Sequence, residues 1–385
     1  MKEHDLVCFS HLRWNFVFQR PQHLLTRFSQ DRRVFYIEEP IFHDGDDNSQ
    51  ITLAQDNLWI IVPYLRLDGE KQDSTSRLER LFKKLFEDFT IKKHIFWFYT
   101  PMSIEVTGSF LPELVVYDCM DELSAFKFAP SALEENEEKL FAKADLVFTG
   151  GHSLFEAKKH RHNNIFPFPS SIDKAHFSQA RTNFFEPTDQ ASIPHPRIGF
   201  YGVIDERMNI ELIDKVAVDK PDWHFIIIGP IVKIDESILP RYDNIHYLGS
   251  KSYKDLPSYL AGWDLAMIPF AINESTRFIS PTKTPEYLAA GKPVISSSIK
   301  DVVKPYGENK LVHIADTAED FICAASLEFQ TKNTQPWLSA VDVFLADKSW
   351  DNTWYQMMQH INRKLEEIKQ EKNIINLKVK EHIYV

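Results

Sequence analysis

Glycine is scarce in this 385-residue chain, at 12 residues, and cysteine is scarcer still, at three. So few glycines exclude glycine-rich linkers and glycine-based repeats, and each remaining one becomes a clue to a backbone that needs it. Cys8, Cys119 and Cys323 are scattered, odd in number and without C-x-x-C spacing, which excludes a disulfide framework and a zinc ribbon. Positive charge is in deficit: 44 Lys and Arg against 55 Asp and Glu leave a net charge of −11, the wrong sign for a dedicated nucleic-acid binder. No apolar run is long enough to span a bilayer, and Met1–Asp5 leads into strand-like sequence rather than a signal-peptide core. A cytoplasmic protein is the expectation.

Several site motifs are missing as well. The loop after the first strand reads Ser10-His11-Leu12-Arg13-Trp14, so there is no G-x-G-x-x-G, and the chain has no P-loop, no H-E-x-x-H and no G-x-S-x-G. Nicotinamide chemistry, P-loop phosphoryl transfer and triad hydrolysis are thereby set aside. No pair of carboxylates is placed to hold Mg²⁺, and no metal is expected.

What the chain does have is alternation. Strand-like runs at Leu6–Ser10, Val34–Glu38, Leu58–Val62, His94–Tyr99, Leu114–Tyr117 and Asp145–Thr149 are separated by helix-period segments, as in a parallel sheet covered on both faces. In Arg77–Phe89 the residues Leu78, Leu81, Phe82, Leu85, Phe86 and Phe89 fall on one stripe, and the mixed charges opposite favour packing on its own sheet over a membrane. From Ala180 to Pro196 the pattern lapses into polar, proline-bearing sequence that reads as a linker. Strands then resume at Ile198–Tyr201, His224–Ile228, Ile245–Tyr247, Leu265–Ile268, Val294–Ser297 and Leu311–Ile314, and Ser349 to about Lys372 reads as a closing helix. Two α/β units in series imply a cleft, with ligands beyond the carboxyl ends of the strands.

The richest stretch, Asn273–Ser297, reads strand end, loop, short helix, strand. Thr282 or Thr284 can cap the helix, Pro285 is tolerated in its first turn, and Gly291 suits its left-handed stop. Lys283 stands at an opening whose free N–H groups favour an anion, and Glu286 lies one turn in, where a carboxylate can accept ribose hydroxyls. Each residue also suits an ordinary helix start, so neither is diagnostic alone.

Ser280–Val294 (SPTKTPEYLAAGKPV) resembles the nucleotide-sugar segment of two-domain GT-B glycosyltransferases. It is most similar to the large retaining family of bacterial polysaccharide and lipopolysaccharide sugar transferases. Arg197–Arg207, Asn244–Gly249 with Leu256–Leu260, Trp263–Phe270, Ser170–Phe177 and Ser349–Met357 resemble further segments of that family in the same order. The resemblance implies an α/β fold of two Rossmann-like doubly wound domains facing across a cleft. An acceptor-side domain would span 1–185, a donor-binding domain 186–346, and a helix and tail at 347–385 would cross back to the first domain. It implies transfer of a sugar from a nucleoside-diphosphate sugar to a glycan or lipid-linked acceptor in cell-surface polysaccharide synthesis, with retention and without a cofactor. Peripheral contact with the inner face of the membrane would suit a lipid-linked acceptor.

Carried over by position, Arg207 and Lys283 neutralise the diphosphate and Glu286 binds the ribose, with Gly202, Leu248, Pro281, Thr282 and Thr284 completing the donor site. The family's Glu eight residues before Glu286 is here Phe278, and its His after the fifth strand aligns with Met120, which leaves Asp121 as the nearest catalytic polar group. On the acceptor side Trp14, Arg20, Gln22 and His23 are the candidates, with pairing of Arg20 to Glu38 or Glu39 as the structural alternative. The rivals are a nucleotide-sugar epimerase of the same fold and a non-catalytic nucleotide-sugar binder.

Overall fold

The computed structural model describes residues 3–67, 74–182, 185–331 and 333–383. Strands β1 (Asp5–Ser10), β2 (Val34–Glu38), β3 (Ile41–His43), β4 (Asn48–Gln55), β5 (Leu58–Arg66), β6 (His94–Phe98), β7 (Leu114–Cys119), β8 (Leu146–Thr149) and β9 (Ile165–Pro167) form the first sheet. Their order is β3-β5-β2-β1-β6-β7-β8-β9, parallel throughout, with β4 pairing antiparallel to β5. The second sheet holds β10 (Arg197–Tyr201), β11 (His224–Ile228), β12 (Ile245–Gly249), β13 (Leu265–Ile268), β14 (Val294–Ser296) and β15 (His313–Ile314) in the order β12-β11-β10-β13-β14-β15, all parallel. Two parallel sheets, each clothed by helices, give the expected pair of Rossmann-like units.

The period-2 geometry of the strands sorts the first sheet's residues to two faces. Val7, Phe9, Phe35, Phe96 and Phe98 face the helix Ser74–Asp88, which contributes Phe82 and Leu85. Leu6, Cys8, Tyr36 and Trp97 face the helix Arg20–Phe28 and the long helix Trp350–Ile383. That last helix leaves the second unit and buries Trp350, Met357, Met358 and Ile361 against the first, so the chain does cross back. No helix among the described residues is long and apolar enough to cross a membrane.

Three strands escape the sequence pattern. β3 and β4 are mostly exposed and form by pairing to the edge of β5, while β9 is three residues long and ends in Pro167. Burial, not pairing, writes hydrophobic periodicity, so such strands leave little trace. The expected linker also needs correction. Within Ala180–Pro196, whose residues 183–184 lie outside the described part, Thr188–Ala191 is helical and Gln190 is fully buried. The Gln190 side-chain oxygen accepts from the Trp263 indole at 2.9 Å and its amide donates to the Tyr259 carbonyl at 3.0 Å. This segment is therefore part of the second unit's packing.

One buried ion pair ties the first unit together near the cleft. Arg20 Nε and Nη2 donate to both oxygens of Asp118 at 2.8–3.2 Å, and Nη1 donates to the Phe168 carbonyl at 2.7 Å. Both side chains are essentially inaccessible to solvent. Arg20→Met strands a carboxylate in the core and is expected to cost about 3–5 kcal/mol, read as a lower urea midpoint. Arg20→Met with Asp118→Leu should recover much of that loss; an Arg20→Met midpoint equal to wild type would show the pair to be dispensable.

Candidate active site

A cavity of about 1060 Å³ lies where the carboxyl ends of the two sheets face each other. Both sheets reverse strand order beside a central strand, β1 with β6 in one and β10 with β13 in the other. Loops diverge at such points and leave room for a ligand. Residues following β1, β6 and β7 line one wall, and residues following β10, β11, β12 and β13 line the other.

On the second wall the short helix Lys283–Ala289 follows the loop after β13, with Thr282 at its cap position. The Thr282 side chain makes no capping bond, and Thr284, fully buried, has a hydroxyl without a partner. Gly291 closes this helix at φ +74°, the left-handed stop its sequence predicts. Lys283 points its side chain to Gly202, where φ is +142°: a Cβ there would come within 2.2 Å of Lys283 Cε and 2.7 Å of Nζ. The ammonium thus occupies the room that a side chain at position 202 would need.

Glu286 is buried one turn further on, and the Tyr201 hydroxyl donates to its Oε2. Burial pushes this carboxyl up, against the pull of Tyr201 and Lys283. Burial and the nearby Arg207 guanidinium push Lys283 down, while Glu286, Asp205 and Asp121 oppose that shift. Arg207 forks onto both oxygens of Asp205, with Nε and Nη2 at 2.7–3.1 Å, and its guanidinium carbon lies 5.5 Å from the centre of the Phe126 ring on the opposite wall. Asp121 lines the cavity from the first wall, and burial raises its carboxyl to about 6 against the lowering fields of Arg207, Arg20 and Lys283.

Gly202, Arg207, Thr282, Lys283, Glu286, Asp121, Trp14 and Gln22 therefore share one cavity, whereas five other candidates do not line it. Arg20 is spent on Asp118 behind the wall. The expected pairing with Glu38 and Glu39 falls instead to Arg13, which donates to Glu38 Oε2 at 2.9 Å and the Glu39 carbonyl at 2.7 Å. His23 is stacked on Trp350 with ring centres 4.6 Å apart, and burial lowers its pKa to about 3, which removes it as a base. Leu248 is displaced by Ser250–Tyr253 as the lining segment, and Pro281 and Thr284 flank the cavity without facing it. Phe278, where the resembled family has Glu, packs against the first unit's core.

Sequence reasoning missed Tyr201 and Asp205, the hydrogen-bond partners of Glu286 and Arg207, and Phe126 and Lys233. Tyr201 and Asp205 lie in the quoted Arg197–Arg207 segment, but nothing in the spacing says which side chain meets which.

The fold agrees with comparisons to known proteins. Residues 195–328 match the family model described as Glycosyl transferases group 1. A Bacillus subtilis protein named as a teichuronic acid biosynthesis glycosyltransferase, TuaH, is 23% identical over 282 residues, covering 69% of this chain and 70% of its own length. The sucrose-phosphate synthase of Thermosynechococcus elongatus superposes with a TM-score of 0.67 at 14% identity, over 95% of this chain and 100% of that one. The catalytic domain of starch synthase IV from Arabidopsis thaliana, bound to ADP and acarbose, superposes with a TM-score of 0.64 at 10% identity, over 94% and 99% of the two chains.

Because Lys283 fills the space beside Gly202, Gly202→Ala should displace the ammonium. Pyrophosphate binding, read by calorimetry, is expected to weaken about tenfold or more, equivalent to about 1.4 kcal/mol. Unchanged affinity would mean that Lys283 holds its anion-binding position by another route.

Proposed function

We propose that this chain, a glycosyltransferase of the GT-B fold whose residues 195–328 carry a group 1 glycosyl transferase domain, moves a sugar from a nucleoside-diphosphate sugar to a glycan hydroxyl. The observation that carries the reading is the convergence of Arg207, Lys283 and Glu286 from the second unit on a cavity whose opposite wall holds Trp14, Gln22 and Asp121. A diphosphate leaving group gains charge as the glycosidic bond breaks, and cations fixed at its position stabilise that transition state more than the ground state. Glu286, anchored by Tyr201, accepts ribose hydroxyls. Asp121 faces the developing positive charge at the anomeric carbon. Trp14 stacks edge-on to Tyr36 at 5.0 Å and offers an aromatic surface to an acceptor sugar.

The acceptor is a cell-surface polysaccharide or its lipid-linked precursor, a reading supported by the likeness to the teichuronic acid enzyme. The reaction runs with retention and without a metal, Arg207 and Lys283 supplying the charge neutralisation that a divalent cation provides elsewhere. The enzyme works in the cytoplasm, at the inner face of the membrane when its acceptor is lipid-linked.

Calorimetry with UDP, GDP, ADP and dTDP should show binding of one of them, and Glu286→Ala should weaken it about tenfold or more. Binding of none would remove the nucleotide-sugar reading. Arg207→Met is expected to lower turnover by the equivalent of about 2–4 kcal/mol. With Asp121 raised to about 6, its charged form is lost as the pH falls, so kcat/KM should rise through about pH 6 and level off above it. In Asp121→Asn the plateau should drop and the acid limb should disappear; persistence of that limb would assign it to another group.

A further inference from the structure

The charge balance at the donor wall is short of what its ligand requires. Arg207 is already matched by Asp205 through three hydrogen-bond contacts. Lys283 sits in the fields of Glu286, Asp205 and Asp121. These two cations face Asp205 and Glu286 on their own wall and Asp121 across the cavity, which leaves little surplus positive charge, yet a nucleoside diphosphate brings two or three negative charges. Of the other cations on the lining, Arg13 is paired to Glu38 and Lys251 to Asp189, which leaves Lys127 and Lys233 without a carboxylate partner among the described residues.

Lys233 differs from Lys127 in sharing an aromatic ring with Arg207. It lines the cavity from the loop after β11, and among the described residues it has no carboxylate partner. Its ammonium lies 5.4 Å from the centre of the Phe126 ring, the same ring that Arg207 approaches at 5.5 Å, so the two cations converge on one aromatic side chain of the opposite wall. Cation–π attraction holds a cation near a surface without cancelling its charge. The Lys233 backbone is left-handed at φ +61°, an uncommon conformation for a residue with a long side chain. Its loop is nonetheless fixed, since Val232 N–H donates to the Ile204 carbonyl at 3.0 Å and Ile204 pairs with Ile231. The backbone thus accepts local strain while aiming an uncompensated ammonium into the cavity.

We propose that Lys233 is a third cation for the donor diphosphate, joining Arg207 and Lys283 and supplying the net positive charge that those two, neutralised by their own carboxylates, lack. The assignment rests on the nucleotide-sugar reading of the cavity. Phe126 acts as the rest position for the ammonium, which moves from the ring face to a phosphate oxygen when the donor binds. Lys127 also lines the cavity and, like Lys233, is exposed, but its ammonium lies 5.2 Å from the Phe128 ring and not over the Phe126 ring that Arg207 shares, and it serves as the comparison cation.

The test is calorimetric titration of the nucleoside diphosphate that wild type binds, and of its monophosphate, into wild type, Lys233→Met, Lys233→Arg and Lys127→Met. Lys233→Met should bind the diphosphate about tenfold or more weakly, lose less for the monophosphate, and show a shallower dependence of affinity on salt. Lys233→Arg should restore most of the affinity, and Lys127→Met should match wild type. Diphosphate affinity within about twofold of wild type in Lys233→Met overturns the assignment, even while Glu286→Ala still weakens binding and keeps the nucleotide reading. Equal losses for both nucleotides with a lowered Tm would make Lys233 a structural residue and also overturn it. If wild type binds none of UDP, GDP, ADP and dTDP, the reading beneath the proposal fails first.

Discussion

Holding three cations beside one cavity is the constraint that organises this cleft. An isolated buried cation is costly, so each must be hydrated, neutralised or held against a polarisable surface. Arg207 is forked by Asp205, Lys283 lies under the fields of Glu286 and Asp121, and Lys233 rests over Phe126. The same carboxylates that make these cations tolerable also weaken their pull on an anion. The positions of Gly202, Tyr201 and Phe126 follow from this compromise. Gly202 leaves room for the Lys283 side chain, Tyr201 holds Glu286 in place, and Phe126 reaches across from the other unit to cover two cations.

The cleft also depends on how the two units are joined. Ser170 Oγ donates to the Ser280 carbonyl at 2.7 Å, and Ser153 N–H donates to Asp301 at 2.9 Å. Phe278 extends from the loop after β13 into the hydrophobic cluster of the first sheet. An apolar residue there is buried against the first unit and anchors the loop after β13 to it. The crossing helix adds a second anchor: Trp350 stacks on His23, and Asp351 pairs with Arg27. Loop and helix together fix the distance between the two walls of the cavity.

Much of the architecture was legible because burial writes itself into sequence. Val34–Glu38, His224–Ile228, Leu265–Ile268 and the helix Leu256–Ala261 fall where the apolar runs and punctuation place them. The helix Lys283–Ala289 was legible for another reason: Thr282, Lys283, Glu286 and Gly291 sit on one continuous segment, where local rules of helix starts and stops fix their relative positions. Edge strands β3 and β4 and the folded segment around Gln190 were not legible, since their stability comes from partners distant in the chain.

The sequence by itself determined the two-unit α/β fold and the helix that carries Lys283 and Glu286, because these follow from periodicity and short-range spacing, whereas Arg207 was joined to them only by the family resemblance. Tertiary structure alone decided which charges are free. Arg20 and His23 carry the same chemistry as cleft residues but turn to Asp118 and Trp350, 98 and 327 positions away, whereas Lys233, unremarkable in the sequence, faces the cavity without a carboxylate partner. The physical reason is that a side chain's charge is set by its residue type, but its availability is set by whichever partner folding brings within hydrogen-bond reach.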